Sequence, residues 1–263
     1  MRLVTGYYYD DSFRLWLSTS DGDIALEGTL DIPLSRERYC TGYWKDGEQH
    51  DCPKNAKVSR GRACNSCAAL DEFSACLKCE GDECAQGNAE LKHGCAEPKY
   101  SVYLAAFGPW AKVGVSRTER LLKRWVEQGA DSAVEILRGL DGFRARTIES
   151  ELVSAGLIDR LTAERKISVL GKSCEGALAK AYESPAVQNS LERHGEQRIA
   201  FEETTLSKYY GETECDGVTE ILSGRVAGQK GPLLFLENKA YALGGALGRM
   251  VEKPLADYCR GII

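Results

Sequence analysis

A chain of 263 residues, 28% charged and 43% hydrophobic with seven prolines, is long enough for two or three small domains or one domain with insertions, and is neither fibrous nor low-complexity. Its net charge of -5 excludes a uniformly basic nucleic-acid coat while leaving room for a local basic face, because binding follows clustered Lys and Arg rather than their sum. No apolar run approaches the ~20 residues that cross a bilayer, and Met1-Arg2-Leu3-Val4-Thr5 lacks the apolar core of a signal peptide, so the cytoplasm is the expected compartment and no membrane the expected setting.

Residues 1–39 predict short β-strands. Arg14-Leu15-Trp16-Leu17-Ser18 and Asp23-Ile24-Ala25-Leu26-Glu27 flank Asp21-Gly22, a dipeptide suited to a tight hairpin turn. The run Leu26–Leu34 continues in strand-like fashion to Pro33.

Residues 40–98 hold eight of the 11 cysteines: Cys40, Cys52, Cys64, Cys67, Cys76, Cys79, Cys84 and Cys95; Cys174, Cys215 and Cys259 are scattered. Such density in a small secreted chain would suggest disulfides, but without signs of secretion it points to metal. Zinc prefers thiolate sulfur, and a Cys-x-x-Cys turn aims both sulfurs and nearby backbone N–H groups at one ion. The simplest pairing places Cys40, Cys52, Cys64 and Cys67 on one zinc and Cys76, Cys79, Cys84 and Cys95 on a second. Interleaved pairs, or His50 or His93 in place of a cysteine, are open alternatives. Leu70, Phe73, Leu77 and Leu91 are nearly all the large apolar residues available, so metal would supply the stability of this zinc-ribbon-like module. Four sulfurs leave no open coordination position, so both zincs are expected to be structural.

The chemistry concentrates in Tyr100–Ala130. Two apolar runs, Val102–Phe107 and Lys112–Val115, separated by Gly108-Pro109, predict a β-hairpin. Leu121, Leu122, Trp125 and Val126 then have helical spacing, closed by Gly129. Ala133–Leu137 reads as a third strand beside the first two. Phe143–Leu152 reads as a helix with Ile148 and Leu152 on its buried face and Glu149 at that face's edge. Arg117, Arg120, Lys123 and Arg124 form a cationic cluster suited to phosphates.

Strand, turn, strand ending in Val-Gly, then an arginine-bearing helix resembles the core of the GIY-YIG nuclease superfamily. Ser101-Val102-Tyr103 stands at the first triplet and Lys112-Val113-Gly114 at the second. Arg124-Trp125 matches the helix arginine, and Arg146–Leu152 the second helix, with Glu149 at the metal-binding glutamate. The likeness spans Tyr100–Leu161 and departs at Lys112, where many members have tyrosine. The cysteine pattern ahead of such a domain is also similar to an uncharacterised archaeal zinc-protein family. The resemblance implies phosphodiester hydrolysis, with Glu149 holding Mg²⁺ or Mn²⁺, Arg124 on the scissile phosphate and Tyr103 positioning or activating water. Lys112 would bind phosphate, and could act as a base only with a pKa lowered by burial or nearby positive charge.

Beyond this unit, Leu161–Glu202 keeps a helical pattern, so residues 99–205 are expected to form one α+β domain with a helical extension. Residues 206–263 predict a β-rich domain in which Gly224, Gly228 and Gly231 serve as turns. The expected fold class is therefore α+β: a small mixed sheet with flanking helices, the zinc module, and a small β-barrel formed by N- and C-terminal strands. The expected partner is nucleic acid, RNA rather than DNA. The alternatives are a noncatalytic RNA-binding platform for a tRNA or ribosomal surface, and a protein scaffold.

Overall fold

The computed structural model describes residues 2–81 and 84–252; Cys259 lies outside the described residues, as does the end of the expected C-terminal domain. The chain is a mixed α+β protein. It runs through β1 (Arg2–Tyr9), β2 (Leu15–Thr19), β3 (Ile24–Ala25), β4 (Thr29–Ile32), β5 (Leu34–Arg38), β6 (Tyr43–Lys45), β7 (Glu48–His50), α1 (Asn65–Leu70) and α2 (Ala89–Ala96). Then come β8 (Tyr100–Phe107), β9 (Trp110–Arg117), α3 (Leu121–Gln128), β10 (Ser132–Leu140), α4 (Gly142–Ser154), α5 (Ala163–Ile167), α6 (Ala177–Tyr182) and α7 (Pro185–Arg193). The chain closes with β11 (Thr204–Thr205), β12 (Gly217–Thr219), β13 (Leu222–Lys230), β14 (Leu233–Leu236), β15 (Lys239–Ala242) and β16 (Arg249–Val251). Among the described residues no helix is long and apolar enough to cross a membrane.

Contacts group these elements into two compact units, one of residues 1–74 with 211–263 and one of residues 75–210. This grouping differs from the four segments expected. The cysteine-rich stretch is shared out, Cys40–Cys67 to the first unit and Cys76–Cys95 to the second.

In the first unit, N- and C-terminal strands share two five-stranded sheets, β3-β2-β1-β16-β5 and β12-β15-β14-β13-β4. Arg2 pairs with Val251, and Leu222 with Ile32. The chain passes from the second sheet to the first across Pro33, which has no N–H to donate to a ladder. Among the described residues the expected barrel is present in part, as two sheets that N- and C-terminal strands build jointly without closing on one another's edges in a single ring. Two of the three expected turn glycines are also placed differently. Gly224 and Gly228 lie inside β13, where the register shifts between Val226 and Gly228, a bulge that one strand accommodates without ending. Gly231, at φ 57°, makes the turn to β14.

The second unit is built on a four-stranded sheet, β11-β10-β8-β9. The expected mixed sheet is antiparallel in every ladder. The Gly108-Pro109 turn forces β9 to run against β8, and α3 then carries the chain back along the sheet so that β10 also opposes β8. Central β8 is buried from Ser101 to Phe107. Val102, Leu104 and Ala106 enter a core with Ile148, Leu152, Leu178 and Leu191. Ile148 and Leu152 are buried as their spacing predicts, each burial stabilising by roughly 1.5–3 kcal/mol. Asp141 caps α4 by accepting from the Arg144 N–H at 2.8 Å, and Gly129 ends α3 at φ 74°. The helical stretch after Leu161 is three short helices, interrupted by positive-φ Gly171 and Gly176 and by Pro185 at the first position of α7.

Candidate functional site

Tyr103 from β8, Lys112 from β9, Arg124 from α3 and Glu149 from α4 all line one cavity of about 860 Å³ in the second unit. Alternation along β8 turns Tyr103 away from Leu104 and towards α3, where its ring meets Trp125 edge-on at 6.1 Å. The Tyr103 hydroxyl accepts from Gln128 Nε2 at 2.6 Å. Opposite Tyr103 in the ladder stands Gly114. A Cβ there would sit 2.5 Å from the tyrosine Cζ and hydroxyl oxygen. Only glycine lets the ring lie across β9, so the Val-Gly ending of that strand has a steric cause.

The segment after α4 supplies the cavity's far wall. Val113 N–H donates to the Ile158 carbonyl at 2.8 Å, and Lys112 Nζ donates to the Asp159 carbonyl at 2.7 Å. This anchoring brings Asp159 and Arg160 into the lining. From α5, Lys166 donates to the Gln128 carbonyl at 2.7 Å and lies 5.0 Å over the Phe107 ring. Arg146, one turn before Glu149 on α4, also lines the cavity.

Burial controls the electrostatics. It pushes the Lys112 ammonium down to about 8, with Arg124 acting in the same direction and Glu149 and Asp159 opposing. Burial raises the Glu149 carboxyl, opposed by Lys112, Arg146 and Arg124. It also raises the Tyr103 phenol, opposed by Arg124 and Gln128. One guanidinium thus acts on all three groups, the buried Tyr103 and Lys112 and the half-buried Glu149. Its own side chain is 48% exposed and lies 3.9 Å from Glu127.

The cationic cluster expected on the hairpin and helix is only partly here. Arg124 lines the cavity, whereas Arg117, Arg120 and Lys123 do not. Arg117 sits at the end of β9, 3.9 Å from Glu119, and Arg120 pairs with Glu127 at 3.1 Å. In their place the lining carries Lys78, Arg146, Arg160 and Lys166. Of these, Arg146 had a sequence signal, the i, i+3 spacing to Glu149 that puts both on one helix face. Asp159, Arg160, Lys166 and Gln128 had none.

Metal-type ligands gather in the first unit. Cys40, Cys52, Cys64 and Cys67 have sulfurs all within 4.8 Å of one another and can hold a metal ion. The β6–β7 hairpin and the start of α1 bring them together. The Cys64 N–H points at the Cys40 sulfur, 3.2 Å away, and the Cys67 backbone amide lowers the Cys64 thiol. Cys40 and Cys67 are fully buried, and burial pushes both thiols up. Cys76, Cys79, Cys84 and Cys95 form no comparable cluster among the described residues. Cys76 and Cys79 face the cavity, the Gln86 amide donates to the Cys76 sulfur, and Cys95 is packed where a Gly142 Cβ would stand. Among the described residues neither histidine joins a metal-type cluster: His50 stacks on Tyr43 at 5.2 Å, and His93 is 82% exposed beside Glu97.

A family model described as a protein of unknown function, DUF2797, matches residues 28–244, most of the chain. The chain belongs to the DUF2797 family. The match takes in both the four-cysteine cluster and the cavity of this DUF2797 chain. No curated protein and no solved structure matches it.

Proposed function

We propose that the 75–210 unit binds the phosphodiester backbone of nucleic acid, RNA in particular, in this cavity and hydrolyses it with one divalent cation. The observation that carries the reading is convergence. Four residues singled out by a GIY-YIG resemblance come from four separate elements and line one cavity, with six cations against three carboxylates (Glu80, Glu149 and Asp159).

Glu149 is the residue that would hold Mg²⁺ or Mn²⁺. A half-buried carboxylate is a hard oxygen donor whose charge such an ion offsets, and Asp159 supplies a second carboxylate to the same lining. The bound ion would polarise the phosphate and stabilise the leaving oxyanion. Arg124 grips the phosphate with its planar fork of donors. Tyr103 takes its hydrogen bond from Gln128, which leaves its own proton to donate into the cavity. The raised phenol suits it to orienting a ligand rather than abstracting a proton. Lys112, held by the Asp159 carbonyl, is the group placed to take a proton from water. In the first unit, zinc is the ion that best suits four thiolates, in a structural role.

The test is single-turnover cleavage of end-labelled structured RNA in Mg²⁺ across pH. With Lys112 as base, the rate rises about tenfold per pH unit and levels off near 8, where the lysine has lost its proton. Lys112→Gln abolishes the rise. A flat profile in the wild type, or one that Lys112→Gln leaves unchanged, removes that role. The departure from the superfamily's tyrosine at Lys112 favours a second reading, a noncatalytic platform for a tRNA or ribosomal RNA surface. There Lys112 acts as a cation, so affinity falls as pH passes about 8 and no product appears.

A further inference from the structure

Residues 53–63 carry Lys54, Lys57, Arg60 and Arg62 and no acidic residue, within a chain whose net charge is -5. The segment is the loop between Cys52 and Cys64, two of the four clustered sulfurs. All four cationic residues are exposed.

The backbone beneath them is fixed. Asn55 N–H donates to the Cys52 carbonyl at 3.1 Å, Cys40 N–H to Ala56 at 2.8 Å, Val58 N–H to Arg38 at 3.0 Å and Thr41 N–H to Arg62 at 2.8 Å. Asn55 and Gly61 turn the chain at positive φ, 46° and 70°. Lys57 pairs with Glu37 at 2.6 Å, and Lys54 reaches the Ser66 hydroxyl at 3.3 Å. Among the described residues Arg60 and Arg62 have no carboxylate partner.

A merely solvated face on an acidic protein mixes its signs. Here Glu37 offsets Lys57 alone, while Lys54, Arg60 and Arg62 face no carboxylate among the described residues on a loop that ends in two of the clustered thiols. We infer that this loop is a second contact surface for nucleic acid, on which Arg60 and Arg62 bind backbone phosphates without reading bases. The inference rests on the nucleic-acid reading above but on different residues, in a different unit. Guanidinium forks match phosphate geometry, and each such contact releases counterions. The loop's apolar residues argue against a bilayer. Ala56, Val58 and Ala63 pack inward on the cysteines, which leaves no apolar face to insert into lipid.

The test uses the full-length, zinc-loaded chain with a labelled RNA hairpin, a DNA duplex of equal length and vesicles containing phosphatidylserine. Affinity is followed by anisotropy as salt is raised. The double variant Arg60→Gln/Arg62→Gln is expected to bind about tenfold more weakly, with a salt slope shallower by about 1–2 and zinc content unchanged. Arg60→Lys/Arg62→Lys should recover most of the slope. If the Gln pair leaves affinity and slope as they were while Arg124→Ala weakens binding, the loop surface is wrong and the cavity reading stands. If the Gln pair weakens binding and Arg124→Ala does not, the loop stands and the cavity reading is in difficulty. Retention by vesicles alone, or of no polymer at all, overturns the inference.

Discussion

Replacing Cys67 with serine is expected to strip one equivalent of zinc from the chain and unfold residues 40–74. The local core there consists of Cys40, Cys52 and Cys67 with Tyr43, Ala56, Val58, Ala63 and Cys64 around them, and it contains no leucine, isoleucine or phenylalanine. Such a core removes little apolar surface from water. A structural zinc contributes an apparent ~10–16 kcal/mol, comparable to the whole stability of an ordinary domain at about 5–15 kcal/mol. Serine offers zinc a poor ligand at the most enclosed corner of the cluster, where Cys67 has no exposure. Metal analysis should show the lost equivalent. Hydrogen exchange should show amides such as Cys40 N–H, bonded to Ala56, and Thr41 N–H, bonded to Arg62, losing protection while the β13–β14 ladder keeps its own. Full protection in a zinc-free Cys67→Ser protein would mean that the thiols serve something other than folding.

The second large effect concerns the cavity. If the cavity hydrolyses RNA as proposed, Glu149→Gln should lower cleavage by at least about 100-fold while leaving RNA affinity within a few-fold, since it would remove the cation's anchor but no phosphate contact. On the same reading Arg124→Ala should lower cleavage by about 10³-fold and weaken binding as well, because the guanidinium would serve both ground state and transition state. Stability provides an internal control. Burial raises the Glu149 pKa, so the folded chain holds that proton more tightly than the unfolded one. Its favourable contribution is complete below the unfolded value and is lost as pH rises through the folded value. Burial disfavours the charged carboxylate, and Gln carries no charge to be disfavoured. The melting temperature of Glu149→Gln should therefore equal or exceed that of the wild type. A lower one would mean that lost activity reflects damage to the fold.

Much of the second unit was legible from local pattern, for identifiable reasons. The β8–β9 hairpin announces itself because a Gly-Pro turn separates two apolar runs. Ile148 and Leu152 face the core because helical spacing leaves them no other face, and Gly129 ends α3 because few other residues adopt its backbone conformation. What escaped was set by tertiary contact. Asp159 and Arg160 reach the cavity because β9 captures Ile158 through a backbone hydrogen bond, which no side chain advertises. Lys166 arrives on a five-residue helix too short to show a period. Pairing of β1 with β16 spans nearly the whole sequence, and Gly228 marks a bulge where composition suggested a turn. Cys-x-x-Cys spacing located the first cluster; Cys76 and Cys79, with the same spacing, line the cavity, and no second four-thiol cluster stands among the described residues.

The most direct test of the cavity's role is lysine acylation of the full chain, read by mass spectrometry with and without saturating structured RNA. Lys112 and Lys166 line the cavity, whereas exposed Lys180 on α6 does not. Bound RNA should slow labelling of Lys112 and Lys166 severalfold and leave Lys180 unchanged, whether or not cleavage follows. RNA that binds while all three label as before would place the polymer elsewhere and contradict the account.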